Sequence, residues 1–171
     1  MLYNLQCAGN KLTELDLTKN KALHYLNCNF NNIGALDITQ NTGLVKISSA
    51  HNSLRSLDVT KCADLEMLFC ENNKIAALDV TKNTKLTQLL CQNNKIKKSG
   101  ITPPATADII VCDPGVLAEA DFARFSKVTF DPTDKGRLSE YTAERYCVNK
   151  NRWVFLSVSD AIANKGYKFV G

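Results

Sequence analysis

Leu65-Glu66-Met67-Leu68-Phe69-Cys70-Glu71-Asn72-Asn73-Lys74-Ile75 reads as L-x-x-L-x-C-x-x-N-x-I, and Leu86 to Ile96 reads the same way 21 residues later. Working outward, the period holds in both directions. Leu2, Leu23, Leu44, Leu65 and Leu86 form one column, and Leu5, Leu26, Ile47, Leu68 and Leu89 a second. Cys7, Cys28, Ser49, Cys70 and Cys91 form a third, Asn10, Asn31, Asn52, Asn73 and Asn94 a fourth, and Leu12, Ile33, Leu54, Ile75 and Ile96 a fifth. The second half of the unit recurs as Leu15-Asp16-Leu17-Thr18, Leu36-Asp37-Ile38-Thr39, Leu57-Asp58-Val59-Thr60 and Leu78-Asp79-Val80-Thr81. Asn20, Asn41 and Asn83 close it, with Cys62 as the exception.

Such a unit cannot bury its apolar side alone, so copies must stack. Stacking at ~4.8 Å per strand makes the LxxLxC segments a parallel sheet with leucine and cysteine turned into a shared core. Cysteine suits a slot too tight for leucine. The asparagine falls where the chain turns off the strand, and its amide can both donate to and accept from the orphaned backbone of neighbouring turns. Twenty-one residues leave little room for a helix in each unit.

The line LxxLxCxxNxLxxLDxTxNxx resembles the leucine-rich-repeat pattern, with cysteine in the third apolar slot. Its LDxT half is similar to that of secreted and cell-surface proteins of bacteria, internalin-like in the broad sense. The match covers residues 2 to about 98. The resemblance implies a leucine-rich-repeat solenoid, mainly β with short helical or loop pieces, a parallel inner sheet and an atypical C-terminal cap. It also implies an extracellular or cell-surface setting and recognition of a protein or peptide.

The domain reading is an array over 1–98, degenerate repeats continuing the sheet over 99–132, and a cap or small β module over 133–171. Cys112 and Ile110 stand 21 residues after Cys91 and Leu89, so Asp108 to Cys112 is expected as a sixth strand. Gly115 to Phe125 has a helical pattern, and Lys127 to Phe130 reads as a seventh strand. Glu144 to Val148 and Arg152 to Val158 read as a hairpin, followed by a turn from Ser159 to Ala163 and a strand at Tyr167 to Phe169. Tyr146, Trp153, Phe155 and Phe169 are the expected plug of the solenoid end. No cap precedes Leu2, and an open strand edge invites association, so either the natural protein has more chain there or two molecules meet end to end.

Composition narrows the function classes. The 171 residues are 44% hydrophobic and 22% charged, with a net charge of +4. No run reaches the ~18 apolar residues that signal a membrane span, and Met1 to Asn4 has no signal-peptide pattern. The basic residues cluster only at Lys95, Lys97 and Lys98, which is not the dense face or module of a nucleic-acid binder. There is no CxxC pair, and stacked thiols form a line rather than a tetrahedron, so neither zinc nor any cofactor is implied. Neighbouring column thiols point in parallel, which disfavours a disulfide. Cys62 and Cys147 lie outside the column. The aspartate column has a capping reading, each carboxylate holding local N–H groups or the threonine two residues on. A calcium reading would need glycine and glutamate where Lys21 and Asn27 stand. His24 and His51 occupy different places in the unit, without a nucleophile beside them.

The outward positions flanking the strand leucines define the expected binding face. They are Tyr3, Asn4, Gln6; His24, Tyr25, Asn27, Phe30; Lys46, Ser48, His51; Met67, Phe69, Glu71; and Gln88, Leu90, Gln92. Tyr3, Tyr25, Asn27, Phe30, Lys46, Met67, Phe69, Gln88 and Leu90 are the expected binding residues on the concave side, and the cysteines and asparagines of the columns, with Cys112, the structural ladder. The function read from this is a non-enzymatic protein- or peptide-binding module. A carbohydrate-binding surface is the alternative, since Tyr, Asn and Gln suit sugars. A substrate receptor detached from a larger enzyme comes third, because 113–171 offers no acid, base and nucleophile set.

Overall fold

The computed structural model describes residues 1–97, 100–113 and 116–117, together with the backbone of the short strands at 127–129 and 144–146. Six three-residue strands follow one another: β1 (Asn4–Gln6), β2 (Tyr25–Asn27), β3 (Lys46–Ser48), β4 (Met67–Phe69), β5 (Gln88–Leu90) and β6 (Ile109–Val111). They form one parallel sheet in chain order. The register is the sequence period itself, with Leu5 beside Leu26, Leu26 beside Ile47, and so on to Leu89 beside Ile110. A parallel neighbour needs a crossover of a dozen residues or more. The remainder of each unit supplies it as turns, and no helix occurs among the described residues.

The core lies on one side of this sheet. The central residue of each strand from β2 to β6 is buried, and so are the partner columns Leu23, Leu44, Leu65, Leu86 and Ile33, Leu54, Ile75. Leu17, Ile38, Val59 and Val80 close it from the opposite wall. A buried side chain of this kind contributes ~1.5–3 kcal/mol. Every unit buries its set against the next, which makes neighbour stacking, not local propensity, the source of order.

The asparagine column holds the turns. Asn73 Nδ2 donates to the Ser49, Cys70 and Glu71 carbonyls, at 2.9, 3.1 and 3.3 Å, and its Oδ1 accepts the Leu54 N–H at 3.0 Å. Asn31, Asn52 and Asn94 repeat this pattern. Asn10 bonds only within its own turn, to the Cys7 and Ala8 carbonyls. At the other end Asp113 accepts the N–H groups of Asn93 and Asn94, through Oδ1 at 3.0 Å and Oδ2 at 3.3 Å.

The residue before each ladder asparagine is left-handed: Gly9 (φ 69°), Phe30 (54°), His51 (53°), Asn72 (55°) and Asn93 (56°). Glycine and asparagine adopt this region readily, whereas a bulky side chain there costs ~1–2 kcal/mol. Gly100 stands where earlier units carry aspartate, and a Cβ on it would sit 2.7 Å from the Lys97 carbonyl oxygen and 2.9 Å from Ile96 Cγ2. The backbone there has no room for the aspartate that earlier units carry.

Of the residues 99–132 expected to extend the sheet, Ile109–Val111 joins it. Lys127–Thr129 (β7) does not: it pairs antiparallel with Glu144–Tyr146 (β8) in a separate two-stranded sheet. An antiparallel partner can come from a later segment without a whole-unit crossover. The expected helix beyond Leu117, the strand partner Arg152 to Val158, the final turn and strand, and the plug residues Trp153, Phe155 and Phe169 lie outside the described residues. Of Tyr146 only the backbone is described.

Candidate functional site: the outer face of the sheet

Side chains on either side of each buried strand centre point away from the core, because successive strand residues alternate between faces. Register lines them into two rows. One is Asn4, Tyr25, Lys46, Met67, Gln88, Ile109, and the other is Gln6, Asn27, Ser48, Phe69, Leu90, Val111. Lys46, Met67, Phe69, Gln88, Leu90 and Asn27 are half-buried by their row neighbours, and Ser48, between Asn27 and Phe69, is only 5% exposed. The Lys46 ammonium sits 5.2 Å from the Phe69 ring centroid, within the range of a cation–π attraction. The face is polar at β1 and β2 and, Gln88 apart, apolar from β4 to β6. Ile109 and Val111 continue the two rows, Ile109 half-buried and Val111 only 3% exposed, and neither was named from sequence. Adding the 21-residue period to Gln88 and Leu90 would have found them.

The exposed aromatic residues sit on the rims of this face. At the strand-entry rim Tyr3 stacks on His24, with centroids 4.2 Å apart and planes at 21°, and meets Tyr25 edge-on at 5.5 Å. His24 Nδ1 lies 2.8 Å from the Ala22 carbonyl. A carbonyl can only accept, so Nδ1 carries a proton. At the strand-exit rim Phe30 stacks on His51 at 4.3 Å and 15°. The line continues from His51 Nε2, 3.1 Å from Asn72 Nδ2, to Asn72 Oδ1, which accepts from Asn93 Nδ2 at 2.8 Å. Tyr25 and Phe30 are five positions apart along the chain, or roughly 16 Å when extended. The aromatic and apolar residues among those expected to bind thus fall into two aromatic rims and an apolar floor of Met67, Phe69 and Leu90, with Asn27, Lys46 and Gln88 as polar members of the rows between them.

Beneath the face, Cys28, Cys70, Cys91 and Cys112 are buried and unoxidised, and Cys7, in the outermost unit, is half-buried. Burial pushes the Cys28 thiol up to about 12 and raises Cys70 and Cys91 further. These are packing groups with no tendency to form thiolate. Ser49 interrupts the column, fully buried, and its hydroxyl has no hydrogen-bond partner. On the far side each aspartate Oδ1 accepts both the N–H and the hydroxyl of the threonine two residues on, at 2.6–2.9 Å. These bonds hold Asp16, Asp37, Asp58 and Asp79 below the usual carboxylate range, despite repulsion between column neighbours. Among the described residues no group of three His, Cys, Asp or Glu side chains could hold a metal ion.

A six-strand parallel ladder with an unbroken 21-residue register and a buried cysteine column has a counterpart among solved structures. The functional domain of InlJ from Listeria monocytogenes, which includes a cysteine ladder, superposes with a TM-score of 0.63 at 34% identity, over 68% of this chain and 26% of that one. The chain is a bacterial-type leucine-rich-repeat protein. A leucine-rich-repeat protein of Leptospira interrogans also matches, at 22% identity and a TM-score of 0.46, over 58% of this chain and 33% of that one. The leucine-rich-repeat chain thus spans about a quarter of the length of the Listeria protein it matches (26%). No protein-family model and no curated protein sequence matches it. Among its described residues no helix is long and apolar enough to cross a membrane.

Proposed function

We propose that the protein is a non-enzymatic recognition module, and that the sheet face turned away from the core binds an extended segment of a protein. The observation that carries this is the apolar floor. Met67, Phe69 and Leu90 adjoin one another on the outer side of the sheet, with Ile109 beyond Gln88 in the Met67 row, and none of the four is fully covered. Adjacent apolar side chains on an outer surface mark a contact site. Phe69, held under the Lys46 ammonium, is the anchor, because a rigid aromatic residue in a partly desolvated place is where binding energy concentrates. The polar end of the same face, Asn4, Gln6, Tyr25 and Asn27, supplies hydrogen-bonding groups for orientation.

The test is a selection of peptides from a random displayed library on the immobilised protein, followed by titration of the winners. Phe69→Ala should weaken them ~30-fold, the size of a hot-spot truncation. Selected peptides whose affinity is unchanged by both Phe69→Ala and Tyr25→Ala would place the binding surface elsewhere.

A further inference from the structure

Lys46 is the only charged side chain in the two outward rows of the sheet. It is half-buried, and its ammonium is held 5.2 Å from the Phe69 ring centroid. Among the described residues no carboxylate stands within ion-pair distance of it: neither Glu66 nor Glu71, on either side of β4, pairs with it, and the exposed Lys85 and Asp64 pair with each other at 2.6 Å. A ring face satisfies a cation only in part. A half-buried ammonium without a counter-charge therefore keeps its attraction for an anion that can reach it. On the neighbouring strand Asn27 adds a donor. Its Oδ1 accepts the Asn29 N–H at 3.2 Å, which fixes the amide and leaves Nδ2 without a protein partner among the described residues. Ser48 stands between Asn27 and Phe69 in their row, and as the shortest side chain of that row it forms the low point between them.

The face thus changes its chemistry at β3. Two unpartnered donors, one of them charged, flank Ser48, and beyond Phe69 the row is apolar through Leu90. A guest that suits both parts needs an anionic group beside an apolar one at a set distance. Successive strands lie ~4.8 Å apart, so Phe69 is one spacing from Ser48 and Leu90 is two. In an extended segment crossing the strands, side chains on one side recur every two residues, ~6.7 Å apart. A side chain two residues from one placed over Ser48 therefore falls between Phe69 and Leu90. We infer that the segment bound by this face carries an aspartate or glutamate set over Ser48 between Asn27 and Lys46, with an apolar residue two positions from it, on either side in sequence, resting between Phe69 and Leu90. This rests on the reading of the face as a peptide-binding surface and names the charge and spacing that it selects.

The experiment sorts peptides selected on the full chain from a random displayed library by whether Phe69→Ala weakens them. Among those it weakens, an acidic residue two positions from an apolar one should be enriched over the unselected library. Replacing that acid by its amide should weaken binding by about 10-fold. Asn27→Asp keeps the acceptor for the Asn29 N–H while setting a second carboxylate beside the expected one. It should weaken the acidic peptides by a similar factor and leave their amide versions unchanged. Lys46→Met keeps an apolar chain of similar length without the charge. It should act in the same way and remove the salt dependence of binding. If Lys46→Met does not fold, Asn27→Asp and the amide peptides decide. Peptides weakened by Phe69→Ala that show no acidic enrichment, or that bind Asn27→Asp and Lys46→Met as tightly as the unsubstituted protein, overturn this inference and leave the apolar floor as the binding surface. Peptides that are all indifferent to Phe69→Ala overturn both.

Discussion

Two polar columns run the length of the solenoid with the same period, and they do different things. The asparagines Asn31, Asn52, Asn73 and Asn94 bond across units: each amide reaches carbonyls of its own and the preceding turn, and each Oδ1 accepts an N–H from 19 residues back. The aspartates Asp16, Asp37, Asp58 and Asp79 bond only to the threonine two residues on. The asparagines join neighbouring turns, while the aspartates shape each turn separately. Burial follows the same division. Asn31 and Asn73 are buried, whereas all four aspartates are exposed. Periodicity therefore identifies a structural role without saying whether it is glue between units or tailoring within one. The reach of the hydrogen bonds decides that.

The comparison is broken most directly by truncating one member of the buried column. Asn73→Ala removes the acceptor of the Leu54 N–H and the side-chain donor to three carbonyls. Each buried polar group left unpaired costs ~1–3 kcal/mol, so the substitution should lower stability by roughly 3–4 kcal/mol in urea unfolding. Asn10→Ala is the matched control, since Asn10 is exposed and bonds only within its own turn. Its effect should be less than about a third as large. Equal losses for the two variants would mean that bonding between units is not what the column provides.

The cysteine column sharpens the same point from the apolar side. At Ser49 a hydroxyl replaces the thiol, buried and without a partner between Cys28 and Cys70. A thiol tolerates burial far better than an unpaired hydroxyl. Ser49→Cys should stabilise by ~1–2 kcal/mol, and scanning calorimetry should show a melting temperature higher by roughly 4 °C. A lower melting temperature with the fold intact would mean that the slot is too small for sulfur.

Much of this was legible in the sequence because the pattern repeats. Leu5, Leu26, Ile47, Leu68 and Leu89 mark the strand centres without any structural knowledge, and the same arithmetic places Ile110 in β6. Four things were not legible, each for a physical reason. Phe30 and His51 adopt a backbone state that their residue types disfavour, and only their register with Gly9, Asn72 and Asn93 points to it. The aromatic residues divide between two rims because Tyr25 opens its strand and Phe30 leaves it. Lys46 covers Phe69 by a diagonal reach that a list of columns does not contain. And the departure of Lys127–Thr129 from the parallel sheet depends on a pairing with Glu144–Tyr146, which no local pattern encodes.

The smallest expected effect tests the aspartate half of the comparison through its protons. Hydrogen bonds from the Thr60 hydroxyl and N–H hold Asp58 below the ordinary carboxylate range, and the other three aspartates behave alike. A carboxyl whose pKa is lower folded than unfolded adds stability above the unfolded pKa, ~3.9 for aspartate, and loses it as the pH falls through the folded value. Replacing all four aspartates by asparagine keeps an acceptor for the backbone N–H but removes the titration. The aspartates are exposed, so solvent screens their advantage and the gain in melting temperature over the variant should be small at pH 6. It should shrink steadily as the pH falls below about 4 and vanish once the pH has passed below the folded values. Column neighbours also repel one another, as Asp16 and Asp58 do Asp37, which works against the gain at every pH where they are charged. A difference independent of pH would show that the carboxylates serve only as uncharged acceptors, and the two columns would then differ in reach alone and not in charge.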